Sequence, residues 1–187
     1  ALLARIELKR ASVHWLSGDY RATLLHEREA RRLAEAAGAR DVAIAARQTA
    51  GLLYWALNNH DRALEELEDA LALARDAGVR TEEATAHNNI GLVHRMRRDF
   101  EAALEHFGNA LRLDTELNLP WGRAYALRNI GMAHLMAGDV EQAAGSLEEA
   151  AAISEEIGDR VNLAKARLAL GDARREGNRP ADARASY

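Results

Sequence analysis

The sequence predicts an all-α fold, a right-handed superhelical solenoid of antiparallel helix pairs, and three observations carry that reading. The first is composition: 40 of the 187 residues are alanine and 26 are leucine, whereas valine, isoleucine and threonine together supply 17. Alanine and leucine favour helices, and β-branched residues are those a sheet needs. The second is that only two prolines, Pro120 and Pro180, interrupt the chain. The third is a repeat of 40 residues: Gly51, Gly91, Gly131 and Gly171 are evenly spaced, with Ala11 in the equivalent place. Four further columns keep the same register. They are Ala30, Ala70, Ala110 and Ala150; Ala63, Ala103, Ala143 and Ala183; Asp19, Asn59, Asp99 and Asp139; and Leu33, Leu73, Leu113 and Ile153. Periods of this length are the signature of stacked repeats.

Each unit reads as two helices. The first helices are predicted over 43–57, 83–97, 123–137 and 163–176. A polar turn follows at Ser17-Gly18-Asp19, Asn58-Asn59, Arg98-Asp99 and Gly138-Asp139, where an Asp or Asn can cap the next helix. The second helices are predicted over 20–37, 60–77, 100–117 and 140–157. They stop at Gly38, Gly78, Asn118 and Gly158, residue types that tolerate the left-handed conformation of a helix C-terminus. Pro120 falls just past such a stop. The repeats span approximately 4–40, 41–80, 81–120, 121–160 and a truncated 161–187, read as a single domain cut from a larger protein. Small residues recur where two helices must touch, and a leucine at Gly91 would overpack that contact by about 1–3 kcal/mol. One helix pair cannot bury its apolar face alone, so neighbouring pairs must stack. The first repeat is the most divergent, with Ala11, Thr23 and Glu27 at otherwise consistent positions.

Composition also excludes several functions. The absence of cysteine removes disulfides, thiolate metal sites and cysteine nucleophiles, and suits a reducing compartment, so a cytoplasmic location is expected. A net charge of −4 with interspersed signs supplies no field that would recruit nucleic acid or a membrane. No apolar run approaches the roughly 18 residues of a membrane span. Seven histidines are present, but His14, His94 and His134 share one column with Tyr54, which reads as a packing position with a polar tip. No zinc-binding His-Glu-x-x-His pattern, phosphate-cradling glycine loop or nucleophile elbow occurs. The acidic runs Glu65-Glu66-Glu68-Asp69, Glu148-Glu149 and Glu155-Glu156 lie on second helices and read as solvated outer faces. No catalytic residue, metal or cofactor is expected.

The glycine near the middle of the first helix, the Gly-Asp-Tyr or Arg-Asp-Phe turn, the alanine three residues after the aromatic, Leu67 or Phe107, and Ala70 or Ala110 together resemble the tetratricopeptide repeat (TPR) family. Its usual period is 34; the 40-residue period with Asn-Asn-Ile-Gly (88–91) and Arg-Asn-Ile-Gly (128–131) is similar to the longer class in Pins/LGN scaffolds, kinesin light chains and bacterial regulators. The tryptophan position of the family is Arg47, His87, Leu127 and Arg167 here. The resemblance implies a curved trough whose inner wall binds an extended or helical peptide. Helical arithmetic at 100° per residue assigns that wall to one arc of each first helix. The partner-binding residues this implies are Gln48, Leu52, Trp55, Asn88, Asn89, Leu92, Arg95, Tyr125, Arg128, Asn129 and Met132. Amides can pair with a peptide backbone whatever its side chains, and methionine adapts to varied apolar partners. The asparagines could instead cap or bridge neighbouring helices, and Trp15 and Trp55 could pack between repeats.

The arc carries Arg5, Lys9, Arg95, Arg128, Lys165 and Arg175 against Asp172 and Glu176, a positive balance on a negative chain. The expected partner is therefore a protein or peptide that is acidic or ends in a carboxylate, with Arg95 and Arg128 as anion anchors. The expected role is a protein-interaction module acting as scaffold or regulator. The alternative is a ligand- or peptide-sensing segment of a larger bacterial signalling or transcription protein, which the use of 23 arginines against two lysines suits. A closed pocket would favour sensing and an open trough would favour protein binding. The apolar side of the last first helix (Leu163, Ala166, Leu170) is expected to be exposed and open to an end-to-end dimer.

Overall fold

The structure is a computed structural model that describes residues 1–178. Among the described residues there are nine helices and no strand: α1 (Leu2–Leu16), α2 (Tyr20–Ala36), α3 (Arg40–Ala56), α4 (His60–Ala77), α5 (Arg80–Met96), α6 (Phe100–Glu116), α7 (Pro120–Ala137), α8 (Val140–Glu156) and α9 (Arg160–Gly177). The remainder of the truncated fifth repeat, with Ala183 in its column, lies outside them.

The turn chemistry is the predicted one, with one difference. Asp19, Asn59 and Asp99 accept a hydrogen bond from the backbone N–H of Ala22, Arg62 and Ala102, closing the first turn of α2, α4 and α6. Asp139 makes no such bond to α8. The repeated histidine lies against the cap residue, His94 Nδ1 3.1 Å from Asp99 Oδ2 and His134 Nδ1 3.4 Å from Asp139 Oδ2, so the column ties the end of a first helix to the start of the second.

The first helices begin three residues earlier than predicted, at Arg40, Arg80, Pro120 and Arg160. The preceding residues are Ala39, Val79, Leu119 and Asp159, and three of these four carry no capping oxygen that would mark a start. The reversal is made by the residue before them. Gly38, Gly78, Asn118 and Gly158 all have positive φ, from 53° to 73°, which turns the chain so sharply that the next helix starts two residues on. Pro120 therefore opens α7, where its missing N–H would have had no partner.

The chain forms two compact units, Ala1–Val93 and the residues from His94 onward. In the first unit, Ala34 and Leu33 of α2 pack on Val42 and Ala43 of α3 together with Ala4 and Leu8 of α1. A second cluster joins Ala63, Leu67 and Leu71 of α4 to Ala86, Ile90 and Val93 of α5, with Tyr54 and Trp55 against it. In the second unit, Leu147 and Ala143 of α8 pack on Ala169, Leu170 and Ala173 of α9 with Met132 and Leu135 of α7. Close approach is set by the glycine column: a Cβ on Gly131 would lie 2.6 Å from Leu147 Cγ and 3.1 Å from the Ala143 carbonyl oxygen. Ala166 and Leu170 are buried and Leu163 half-buried against α8, which corrects the expected exposed side on α9; Val161 and Leu168 are its exposed apolar residues.

The divergent first repeat keeps its geometry with different chemistry. Glu27 stands in the column of Leu67, Phe107 and Leu147 and is 1% exposed. It lies 3.8 Å from Arg31 Nε, and Arg31 and Arg47 both bind Glu66 at 3.0 Å, with Arg47 also 2.7 Å from Asp69. Glu66 is thus part of a half-buried network rather than a solvated face. Burial first, and then the charge of Glu66, push the Glu27 carboxyl up to about 7, against the opposing charges of Arg31, Arg28 and Arg47.

A carboxyl whose folded pKa is raised holds its proton more tightly in the native state. Its stabilising effect is full below the unfolded pKa and is lost as pH rises through about 7. Urea unfolding of the wild type is expected to show stability falling between pH 5 and 8 by up to about 3 kcal/mol, and Glu27→Gln to flatten that slope. An unchanged slope in the variant would contradict the assignment.

Candidate partner-binding face

The predicted face divides between the two units, and its residues fare differently in each. In the first unit the amides are enclosed. Gln48 Nε2 donates to Glu82 Oε2 at 2.9 Å and to the Glu82 carbonyl at 3.3 Å, and Asn89 Nδ2 donates to Gln48 Oε1 at 3.3 Å. Gln48, Asn88, Asn89 and Leu92 are all buried. The Gln48 and Asn89 side chains therefore bridge α3 to α5, the alternative that the sequence left open for Asn89 but not for Gln48. Leu52 and Trp55 remain half-buried. Leu52 lines a small cleft with Ser12, Trp15, Leu16 and Thr49, and Trp55 packs on the Ala63–Leu67 cluster.

In the second unit the face is accessible and charged. Arg95, Arg128, Asn129 and Met132 line one open cleft of about 280 Å³, joined there by Lys165, Leu168, Ala169 and Asp172 of α9. Asn129 is 2% exposed and belongs to the cleft's floor. The Arg128 guanidinium lies over the Tyr125 ring, 4.8 Å from its centroid. Tyr125 in turn stacks on Trp121 with centroids 5.7 Å apart and planes within 8°. The result is a ladder of Trp121, Tyr125 and Arg128 along α7, which holds the guanidinium plane in place.

Arg95 is the unusual member. It is half-buried, its buried Nε has no hydrogen-bond partner, and no carboxylate pairs with it among the described residues. Burial first, and then the positive charge of Arg128, lower its pKa from the usual arginine value. Arg128 and Lys165 also form no ion pair among the described residues, whereas Arg5 is held by Asp41 at 2.5 Å and Arg175 is paired with Asp172. Of the six cations counted on this face, three that gather in one cleft are uncompensated.

Trp121, Lys165 and Leu168 were not among the predicted site residues. Trp121 lies four residues before Tyr125 on the same side of α7, but the helix was predicted to start at 123, after it. Lys165 and Leu168 occupy the arc on α9; the signal for Lys165 was the charge tally, and for Leu168 its place in the column of Gln48, Asn88 and Arg128. Among the described residues no group of three His, Cys, Asp or Glu side chains could hold a metal ion, and no helix is long and apolar enough to cross a membrane.

The bridging role of Gln48 has a measurable consequence. Gln48→Ala leaves the Asn89 amide without its acceptor and is expected to lower stability by about 1–3 kcal/mol, as read by urea unfolding; no change would show that the bridge contributes nothing.

Solved structures share the fold. BtubC (BKLC) from P. vanneervenii is 23% identical, with a TM-score of 0.77 over 89% of this chain and 70% of that one. The apo form of RapI is 15% identical, with a TM-score of 0.82 over 90% and 61%, and aspartyl phosphate phosphatase F from Bacillus subtilis is 16% identical, with a TM-score of 0.84 over 92% and 47%. The chain thus spans about two thirds, three fifths and half of these proteins, and at such identities the likeness is one of fold. No curated protein sequence matches it. The Tetratricopeptide repeat family pattern matches residues 82–156 and 122–187, together more than half of the chain, and a second pattern of the same description matches 44–76. With its paired helices, glycine contacts and capped turns, the chain belongs to the tetratricopeptide repeat family.

Proposed function

We propose that this chain is a protein-interaction module that binds an acidic segment of a partner protein on the α7–α9 face, and so acts as a scaffold or regulator. The observation that carries the reading is the half-buried Arg95 beside Arg128, neither of which forms an ion pair among the described residues, while the cleft's Asp172 is paired with Arg175. Two like charges held side by side and partly shielded from water oppose folding unless an anion joins them. A protein that keeps such a pair in an open cleft gains from it when the anion arrives. The accessible apolar residues around the cleft, Leu168 and Met132, supply contact area for the neighbouring side chains of the segment. Because the cleft is open, it suits a side chain presented by a larger molecule, which favours protein binding over the sensing of an enclosed small ligand.

The reading is tested with a fluorescent nonapeptide of alternating glutamate and leucine, titrated at low and physiological salt. Binding is expected to weaken with salt, and the double variant Arg95→Glu, Arg128→Glu, with helicity checked by circular dichroism, is expected to lose at least tenfold in affinity. Equal affinity for the wild type and the double variant would overturn it.

A further inference from the structure

We infer that the cleft formed by Arg95, Arg128 and Lys165 takes the phosphoryl group of a phosphorylated side chain on the partner segment. The inference rests on the proposed acidic-segment reading and narrows the chemistry of the anion. Three cations line the cleft, and its one carboxylate, Asp172, is already engaged by Arg175. A single carboxylate would leave most of that positive charge unanswered. A phosphomonoester carries about −1.5 to −2 charges at neutral pH and three strong acceptor oxygens, which matches the surplus. The donors are also of the type that phosphate uses. Two guanidiniums present planar forks of N–H groups, and one of them lies over the Tyr125 ring, 4.8 Å from its centroid.

The aromatic ladder adds a second feature to the recognised segment. Trp121 is 62% exposed and lies seven residues, two helical turns, before Arg128. That separation is about 10.5 Å along α7. An extended peptide covers it in roughly three residues. The segment therefore carries an apolar or aromatic side chain about three positions from the phosphorylated residue, laid on the free face of Trp121. The other strongly charged region, around Glu27, Arg31, Glu66 and Arg47, already pairs its opposite charges and leaves no such surplus.

The test uses one nonapeptide backbone with a tryptophan three positions from its centre, carrying phosphoserine, glutamate or serine at the centre. Affinities are read by fluorescence anisotropy, and the side-chain Nε–Hε NMR signals of Arg95 and Arg128 are followed during the titration. The expected result is that the phosphoserine peptide binds at least tenfold more tightly than the glutamate peptide and shifts both arginine signals. Arg128→Lys, which keeps the charge and loses the fork, is expected to narrow that preference. If glutamate binds as tightly as phosphoserine, the phosphoryl inference falls and the acidic-segment reading stands. If neither peptide binds, or if both bind without moving the Arg95 and Arg128 signals, both readings fall. Equally tight binding of adenosine diphosphate would assign the cleft to a free nucleotide and overturn the inference.

Discussion

The close approach of paired helices at one small-residue column is the contact on which the remaining structure depends. At Gly131 there is no room for a methyl group, because Leu147 and the Ala143 carbonyl already occupy that space. Gly51 meets Leu67 and the Ala63 carbonyl in the same way. Helices brought this close bury their alanine and leucine stripes against each other, and the described turns, each reversed by a left-handed residue and half of them closed by an Asp or Asn cap, start a new helix pair every 40 residues. The side of each first helix turned away from its partner is released from packing to that extent, and function can be placed there.

The use made of that side differs along the chain. In the first unit, Gln48 and Asn89 link α3 to α5, so polar residues on the face serve the array itself. In the second unit, the same face holds Arg95, Arg128 and Lys165 without an ion pair among the described residues. The column that contains Trp15, Trp55 and Leu135 has Arg95 in its third repeat, where burial and Arg128 both act against the charged form. The fifth repeat also has an arginine there, Arg175, but it is exposed and paired with Asp172; a residue that disturbs its own surroundings while Trp55 and Leu135 of its column pack is the pattern expected of a binding site kept at some expense to stability.

Much of this was legible in the sequence, and what was missed has definite physical causes. The 40-residue columns identified the helix pairs, the caps and the family, because each column answers to a local contact that recurs. Helix starts were harder: Ala39, Val79 and Leu119 offer no capping side chain, so Trp121 was placed ahead of α7 and its stack with Tyr125 went unseen. Face assignment by helical arithmetic put Arg95, Arg128, Asn129 and Met132 on the same arc of successive first helices, and the structure has all four lining one cleft. It could not show that Gln48, Asn88 and Asn89 are enclosed, since burial depends on the width of the neighbouring repeat, which a single helix does not encode. The same limit explains Leu163, Ala166 and Leu170, which α8 covers, and Glu66, which two arginines from other helices draw into a network.

The central claim is that Arg95 is held in place for a ligand and not for the fold. The direct measurement is the stability of Arg95→Leu, the residue found at Leu135 in the next repeat, compared with the wild type by urea unfolding in the absence of any partner. The account predicts that the variant is the more stable, by about 1–2 kcal/mol, because a half-buried charge without a carboxylate is replaced by an apolar side chain. A variant less stable than the wild type would show that Arg95 supports the array, and would contradict the claim.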